Sequence, residues 1–304
     1  MTYITTVLAD SPSVLLALND STTSFTDSSP NNHVQTTTPT VTAGQAGIST
    51  ELAATALFGG GYIAEDFGAS TAYTALTVEV WFKSTSGQGS LWTSRGTTGT
   101  GFTLFVGATG AGFGQTGAVS FGLDGSTAYQ GVESTQTIND GYWHHVVGVF
   151  SRPSGTIAPT DFTLYIDGAL ANVVTHAVAG SVTVPVTPSM NWQIGQYAGG
   201  WSNGALSATY LSAVAVYQSA LAATNIANHY NAMMAAMPLA TTALLESYAE
   251  VMSVPTATSV ALAESYAEVA TMPLATSVAL MEVYAEVIVP IKPAFVGWGV
   301  PILG

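Results

Sequence analysis

The sequence predicts an all-β protein: a sandwich of two sheets, closed by one short C-terminal helix and followed by an extension of three repeated strands. Three observations predict it. Short alternating or wholly apolar runs recur to about residue 218, separated by Gly, Pro, Asp-Gly and Asn-Gly, as in sandwiches built from many short strands. One stretch alone, Ser219–Met237, carries apolar residues at helical spacing. One nine-residue segment is written three times: ALLESYAEV at Ala243–Val251, ALAESYAEV at Ala261–Val269 and ALMEVYAEV at Ala279–Val287, each copy starting 18 residues after the last.

Taken in order, LTVEVWF (Leu76–Phe82) alternates and puts Val78, Val80 and Phe82 on one face and Thr77, Glu79 and Trp81 on the other. GFTLFVGA, AVSFGLDG, WHHVVGVF, FTLYIDGA and SATYLSAVAVY follow as further strands. Within YIDGALA, Asp167-Gly168 suits a type I′ turn and predicts a hairpin. In Ser219–Met237 the stripe is Ile226, Tyr230, Met233, Met234 and Met237, with Ser219 as the expected N-cap and Pro238 as the terminator.

Each repeat reads as a strand roughly 30 Å long. Alternation puts Leu262, Glu264, Tyr266 and Glu268 on one face and Ala263, Ser265, Ala267 and Val269 on the other. A helix is the alternative, because Ala, Leu and Glu are good helix formers; the third copy, rich in Val and Ile, favours strand. Pro238, Pro255 and Pro273 precede the copies and Pro290 closes the series. Paired in register, Glu246, Glu264 and Glu282 would form a like-charged column. The carboxylates therefore face water, are offset, or meet a basic partner. Strands with no Lys to guard their edges are expected to find partners outside the monomer, in copies of the same chain or in another protein. The expected assembly residues are Glu246, Tyr248, Glu250, Glu264, Tyr266, Glu268, Glu282, Tyr284 and Glu286, with Trp298 in the tail. The expected division is 1–236 for the sandwich, 237–290 for the repeats and 291–304 for an apolar Gly/Pro tail.

With 48% apolar residues the 304-residue chain has material for a sizeable core. Four Lys+Arg against eighteen Asp+Glu, net −14, argue against nucleic acid and anionic membrane surfaces. There is no cysteine, hence no disulfide framework and no thiolate metal site. No signal peptide and no membrane-spanning run is recognised, so folding in a cytoplasm is expected.

Several motifs, in order, carry a resemblance over roughly the first 235 residues. They are VLADSPSVLLALND, FTDSSPNNHV, ATALFGGGYIAE, LTVEVWFK, DGYWHHVVGVF, FTLYIDGAL and LSAVAVYQSALAATNIANHY. Together they resemble the laminin-G-like branch of the concanavalin A-like lectin/glucanase superfamily, which implies a jelly-roll β-sandwich with VLADSPSVLLALND as its opening strand. Relatives often hold a structural calcium through an Asp where this chain has Ser212, followed by Ala213; Asp27, Asn31 and Asn32 are the remaining oxygen donors. No cofactor is expected. Glucanase relatives carry catalytic carboxylates close together on one strand. Here Glu79 and Glu133 sit on separate segments and nothing pairs them, so no enzymatic activity is expected.

Flat aromatics on loops stack on sugar rings, so the Gly-rich loop Gly195–Gly204 offers Tyr197, Trp201 and Asn203 as glycan contacts. Trp92, Tyr129 and Asp124-Gly125 belong to other segments that a fold could bring near it. His144 and His145 are adjacent on a strand and point to opposite faces, so they do not share a metal; His33, His176 and His229 show no ligand spacing. GTTGTGF (Gly96–Phe102) lacks the Lys of a phosphate loop.

The tandem VEV-type segments and the closing GWGVPI resemble virion proteins of tailed phages of actinobacteria. That resemblance implies a non-enzymatic capsid-decoration or minor tail protein, located in the virion and assembled in the host cytoplasm. It would display a lectin-like domain outward, with a major capsid or tail protein as partner, a homo-oligomeric state and weak glycan binding. The alternative is a carbohydrate-binding receptor or adhesin module; turnover on a β-glucan would instead mark a glycosidase.

Overall fold

Alternation along Leu76–Phe82 divides the molecule into layers. The computed structural model describes residues 2–237 except 68, 70, 97–98, 108–114, 126–128, 179 and 198–203. The repeats and tail, with Glu246, Tyr248, Glu250, Glu264, Tyr266, Glu268, Glu282, Tyr284, Glu286 and Trp298, lie outside the described residues, as do Trp201 and Asn203. In chain order the strands are β1 (Val14–Leu16), β2 (Gln35–Thr37), β3 (Val41–Ala46), β4 (Ala54–Phe58), β5 (Ile63–Glu65), β6 (Ala75–Ser84), β7 (Gly89–Thr93) and β8 (Gly101–Val106). They continue with β9 (Ala118–Asp124), β10 (Tyr129–Thr137), β11 (Trp143–Ser151), β12 (Phe162–Ile166), β13 (Ala169–Leu170), β14 (Val173–Val178), β15 (Gln193–Ile194) and β16 (Thr209–Tyr217). Helix α1 (Tyr3–Ala9) precedes them and α2 (Ala223–Ala236) follows.

The first sheet runs β13-β12-β11-β6-β16-β4-β3, with β1 also on β16; the second runs β14-β10-β9-β8-β7-β15-β5-β2. Val78, Val80 and Phe82 enter the core between the sheets. Phe102 meets Phe150 at 4.9 Å between ring centroids, and Phe121 meets Phe162 at 5.7 Å. A Cβ on Gly148 of β11 would lie 2.4 Å from the Phe121 ring, so this glycine is the hollow that lets the two sheets close. The hairpin expected at Asp167-Gly168 is present: Ile166 pairs with Ala169, and φ is 52° at Asp167 and 75° at Gly168.

The other face of β6 carries Glu79 and Trp81 beneath the helices. Trp81 packs with Tyr3 of α1 and with Ile226 and Met233 of α2. Glu79 is fully buried and accepts four hydrogen bonds, from Tyr3 Oη (2.9 Å), Tyr217 Oη (3.1 Å), His145 Nε2 (3.0 Å) and His229 Nδ1 (2.8 Å). Burial pushes this carboxyl up, but the two histidines outweigh it and hold it well below the usual carboxylate range. Glu79 therefore ties both helices to the first sheet. His145 points into this layer, while His144 bonds Asp167 (2.9 Å) and Asp140 (3.1 Å).

Two expectations are corrected. The opening segment is not one strand, because Tyr3–Ala9 is helical. Thr2 caps it, and the distant Glu51 carboxylate accepts from Tyr3 N (2.8 Å) and Ile4 N (3.2 Å), supplying the acceptors that a helix N-terminus lacks. Ser219 is not the N-cap of the last helix. α2 starts at Ala223, and the Ser219 carbonyl instead accepts the Thr77 hydroxyl at 2.7 Å.

Candidate functional site

The outward face of the second sheet gathers the polar and aromatic groups. Residues directly opposite in register share a face. With Phe102, Leu104, Val119, Phe121, Leu123 and Val132 in the core, the alternate positions look outward. One cross-strand row is Tyr129, Asp124 and Gly101; the next is His176, Gly131, Gly122, Thr103, Thr93 and Gln193; the third is Val174, Glu133, Ser120, Phe105 and Ser90. Gly122 and Gly131 lie opposite each other, and a Cβ on either would come within 2.5 Å of the Tyr129 hydroxyl oxygen. The pair of glycines is a floor across which the Tyr129 side chain lies along its strand. Burial, with Asp124 and Glu133 nearby, pushes the Tyr129 phenol well above its ordinary range, so it stays a neutral donor.

At the end of this face three segments converge. Arg95 follows β7, its backbone N–H donating to Thr93 Oγ1 at 3.1 Å. Asp124 ends β9. Tyr197 follows β15 in a loop closed at its base by Tyr197 N to Gly204 O (3.0 Å) and Leu206 N to Gly195 O (2.8 Å). The Tyr197 hydroxyl donates to Asp124 Oδ2 at 2.5 Å and accepts from Arg95 Nη1; Arg95 lies 3.4 Å from Asp124 and 5.4 Å from the Tyr197 ring centroid. Burial pushes the Asp124 carboxyl up to about 6, with Arg95 opposing. Phe105 packs edge-on to Tyr197 at 5.4 Å, and Phe105, Tyr129 and Tyr197 form one cluster. His176 Nε2 reaches Glu133 Oε2 at 3.2 Å on the far side.

Of the expected contacts, the structure brings Tyr197 and Tyr129 together beside Asp124. It does not bring Trp92, which is 1% exposed and points into the inter-sheet core against Trp192, 5.6 Å away. Arg95 and Phe105 are additions. Arg95 had one available signal, a rare cation set between the aromatic runs of two strands.

On this face Asp124 and Glu133 are not spaced as a hydrolytic pair. Asp124 is level with Tyr129, and Glu133 lies four residues further along β10, roughly 14 Å away at strand rise. That exceeds the separation used by retaining or inverting glycosidases, at most about 9.5 Å. Of the oxygen donors named for calcium, Asp27 is engaged within the fold, accepting from Leu15 N, Ser29 N, Ser29 Oγ and His33 N at 2.8–2.9 Å. Asn32 sits exposed at φ 50°, and Ser212 is fully buried. Among the described residues no group of three or more His, Cys, Asp or Glu is placed to hold a metal, and no helix is long and apolar enough to cross a membrane.

Comparison with known proteins agrees with this architecture. The family model of the concanavalin A-like lectin/glucanases superfamily, laminin G type, matches residues 59–227, more than half of the chain. The chain belongs to that superfamily. No curated protein sequence matches it. Domain 4 of AbnA, a GH43 extracellular arabinanase from Geobacillus stearothermophilus solved in complex with arabinotriose, is similar at TM-score 0.51 and 14% identity over 72% of this chain and 98% of its own. The botulinum neurotoxin serotype D ligand binding domain, in complex with N-acetylneuraminic acid, is similar at TM-score 0.50 and 14% identity over 76% of this chain. The match spans about half of that toxin domain (52%).

Proposed function

We propose that this chain is a non-enzymatic glycan-binding protein whose binding face is the outward side of the second sheet, centred on Tyr129, Tyr197, Arg95 and Asp124. The observation that carries the reading is the convergence of an aromatic cluster with a hydrogen-bonded Arg–Tyr–Asp set on one sheet face. Phe105, Tyr129 and Tyr197 are themselves buried (4%, 8% and 3% exposed), so the rings hold the polar set in place, and the part-exposed Asp124, with Arg95 and the Tyr197 hydroxyl, offers fixed acceptors and donors to sugar hydroxyls. Two further points support it: the sugars held by two proteins of this fold, and a carboxylate spacing that suits recognition rather than hydrolysis.

A second reading concerns the setting. The three repeats and their resemblance to phage virion proteins favour a virion location, with the sandwich displayed outward and the repeats anchoring it to a capsid or tail protein. Presence of the protein in purified particles tests that setting independently of glycan binding.

The binding test is saturation-transfer NMR of the full chain with arabinotriose and with N-acetylneuraminic acid. Transfer to at least one sugar, abolished by Arg95→Ala with the fold intact by circular dichroism, supports the reading. Transfer that survives both Arg95→Ala and Tyr129→Ala places the sugar elsewhere and refutes this face.

A further inference from the structure

The outward face of the first sheet carries an aromatic row of its own. Lys83 lies two residues beyond Trp81 on β6 and shares its face. In register it stands level with Trp143 of β11 on one side and Tyr210 of β16 on the other, and Tyr210 stands level with Leu57 of β4. Trp143 and Tyr210 are thus two strand spacings apart, roughly 10 Å, with the lysine between them. Lys83 Nζ lies 5.5 Å from the Trp143 ring centroid and 4.9 Å from that of Tyr210. All four side chains are half-buried, whereas the rings on the second sheet are buried; Tyr142, next to Trp143, is 73% exposed. Charge singles out this lysine. Among the described residues Arg95 meets Asp124 at 3.4 Å and Arg152 meets Asp161 at 3.3 Å, but Lys83 meets no carboxylate and no hydrogen-bond acceptor. That is notable in a chain with 18 Asp+Glu against four Lys+Arg. Two aromatic faces stabilise the ammonium but accept none of its three N–H groups.

We propose that this row is a separate sugar site and that its ligand is an acidic sugar of the uronic acid type, its ring against the aromatic pair and its carboxylate on the Lys83 ammonium. Three observations select that ligand. The ammonium has donors to give and no anion of its own, so a carboxylate completes it with charge-assisted hydrogen bonds. Among the described residues the Trp143 indole N–H and the Tyr210 hydroxyl make no hydrogen bond and are not sealed from solvent, so they are available to sugar hydroxyls. β6 is bonded to β11 and β16 on its two sides, so this face offers no backbone edge to a peptide strand and recognises through side chains alone. The net charge of −14 disfavours an acidic protein here more than a small sugar with one carboxylate, because salt confines the repulsion to short range. Asp124 beside Arg95 gives the second-sheet face an anion that this row lacks, so the two faces select different ligands. The inference uses none of the residues of the second-sheet face, and either can fail alone.

The test is NMR on the full chain. Its two lysines are Lys83 and Lys292, so reductive methylation with carbon-13 formaldehyde labels both, and the Lys83 signal is the one missing from Lys83→Arg. The expected result is that sodium D-glucuronate shifts the Lys83 signal saturably while D-glucose at the same concentrations does not. In saturation-transfer titrations the dissociation constant for glucuronate should rise about tenfold or more in Lys83→Met, which keeps the apolar stem and removes the charge, and Lys83→Arg should keep binding. The methyl-lysine titration uses the parent side chains, so it decides the matter even where Lys83→Met does not fold. A Lys83 signal indifferent to glucuronate overturns the proposal, and so does one that glucose shifts equally. Glucuronate binding lost in Arg95→Ala but kept in Lys83→Met belongs to the second-sheet face and overturns this row. A shift caused by an acetylated triglutamate peptide and not by glucuronate overturns the sugar and marks an acidic protein as the partner.

Discussion

Glu65 is the buried group whose protonation should govern stability at alkaline pH. It ends β5 at 4% exposure, and among the described residues neither carboxylate oxygen meets a hydrogen-bond donor. Burial, then Asp27, then Asp66, push its carboxyl up from 4.5 to about 8; the neighbouring Gln35 side chain opposes them only weakly, because its Nε2 donates to the His33 carbonyl at 2.7 Å instead. A folded-state value above the unfolded one means the folded chain holds a proton that the unfolded chain releases. The associated stability is present below about pH 4.5 and is lost as pH rises through 8. Working the linkage between pH 5 and pH 9 gives a loss on the order of 4 kcal/mol. Glu65→Gln keeps the shape of the neutral acid and removes the titration. Urea unfolding at both pH values should therefore show the variant close to the parent at pH 5 and more stable by on the order of 4 kcal/mol at pH 9. A stability difference that is the same at both pH values refutes the reasoning, since the carboxyl would then be ionised or solvated in the fold.

Three further outcomes follow from the same geometry. Glu79→Ala leaves four buried donors without an acceptor and should cost about 4 kcal/mol or more in urea unfolding, with hydrogen exchange in α1 and α2 rising first. Gly148→Ala places a methyl against the Phe121 ring and should cost about 1–3 kcal/mol; a variant as stable as the parent would show that the sheets have slack there. The Asp124 carboxyl, raised to about 6, favours folding below its unfolded value of 3.8, and that contribution is lost as pH rises through 6. Asp124→Asn should thus gain stability relative to the parent between pH 4 and pH 7 in thermal melts, and an unchanged difference across that range counts against the burial of this carboxyl.

Much of the sandwich was legible because its signals are local. Alternation assigned Val78, Val80 and Phe82 to one face and Glu79 and Trp81 to the other, and Asp167-Gly168 announced its turn through residues that accept positive φ. What was not legible depends on contacts far apart in sequence. Helix α1 is capped by Glu51, and Ser219 is taken by Thr77. The candidate site shows the same limit: Tyr129 and Tyr197 could be nominated as aromatics, but Arg95, Asp124 and Tyr197 meet only because β7, β9 and the segment after β15 end at the same place. Trp92 was misleading for a different reason. The β7–β8 register shifts between Ser90 and Trp92, so simple alternation does not report which way that indole points.

The central claim is that the outward face of the second sheet binds sugars. Its most direct test is an oligosaccharide array probed with the full chain, followed by calorimetric titration of the strongest neutral ligand into the parent and Asp124→Asn proteins. The account predicts saturable binding that Asp124→Asn weakens at least tenfold while the fold is kept. No binding across neutral and sialylated glycans, or an affinity indifferent to Asp124→Asn, would contradict it.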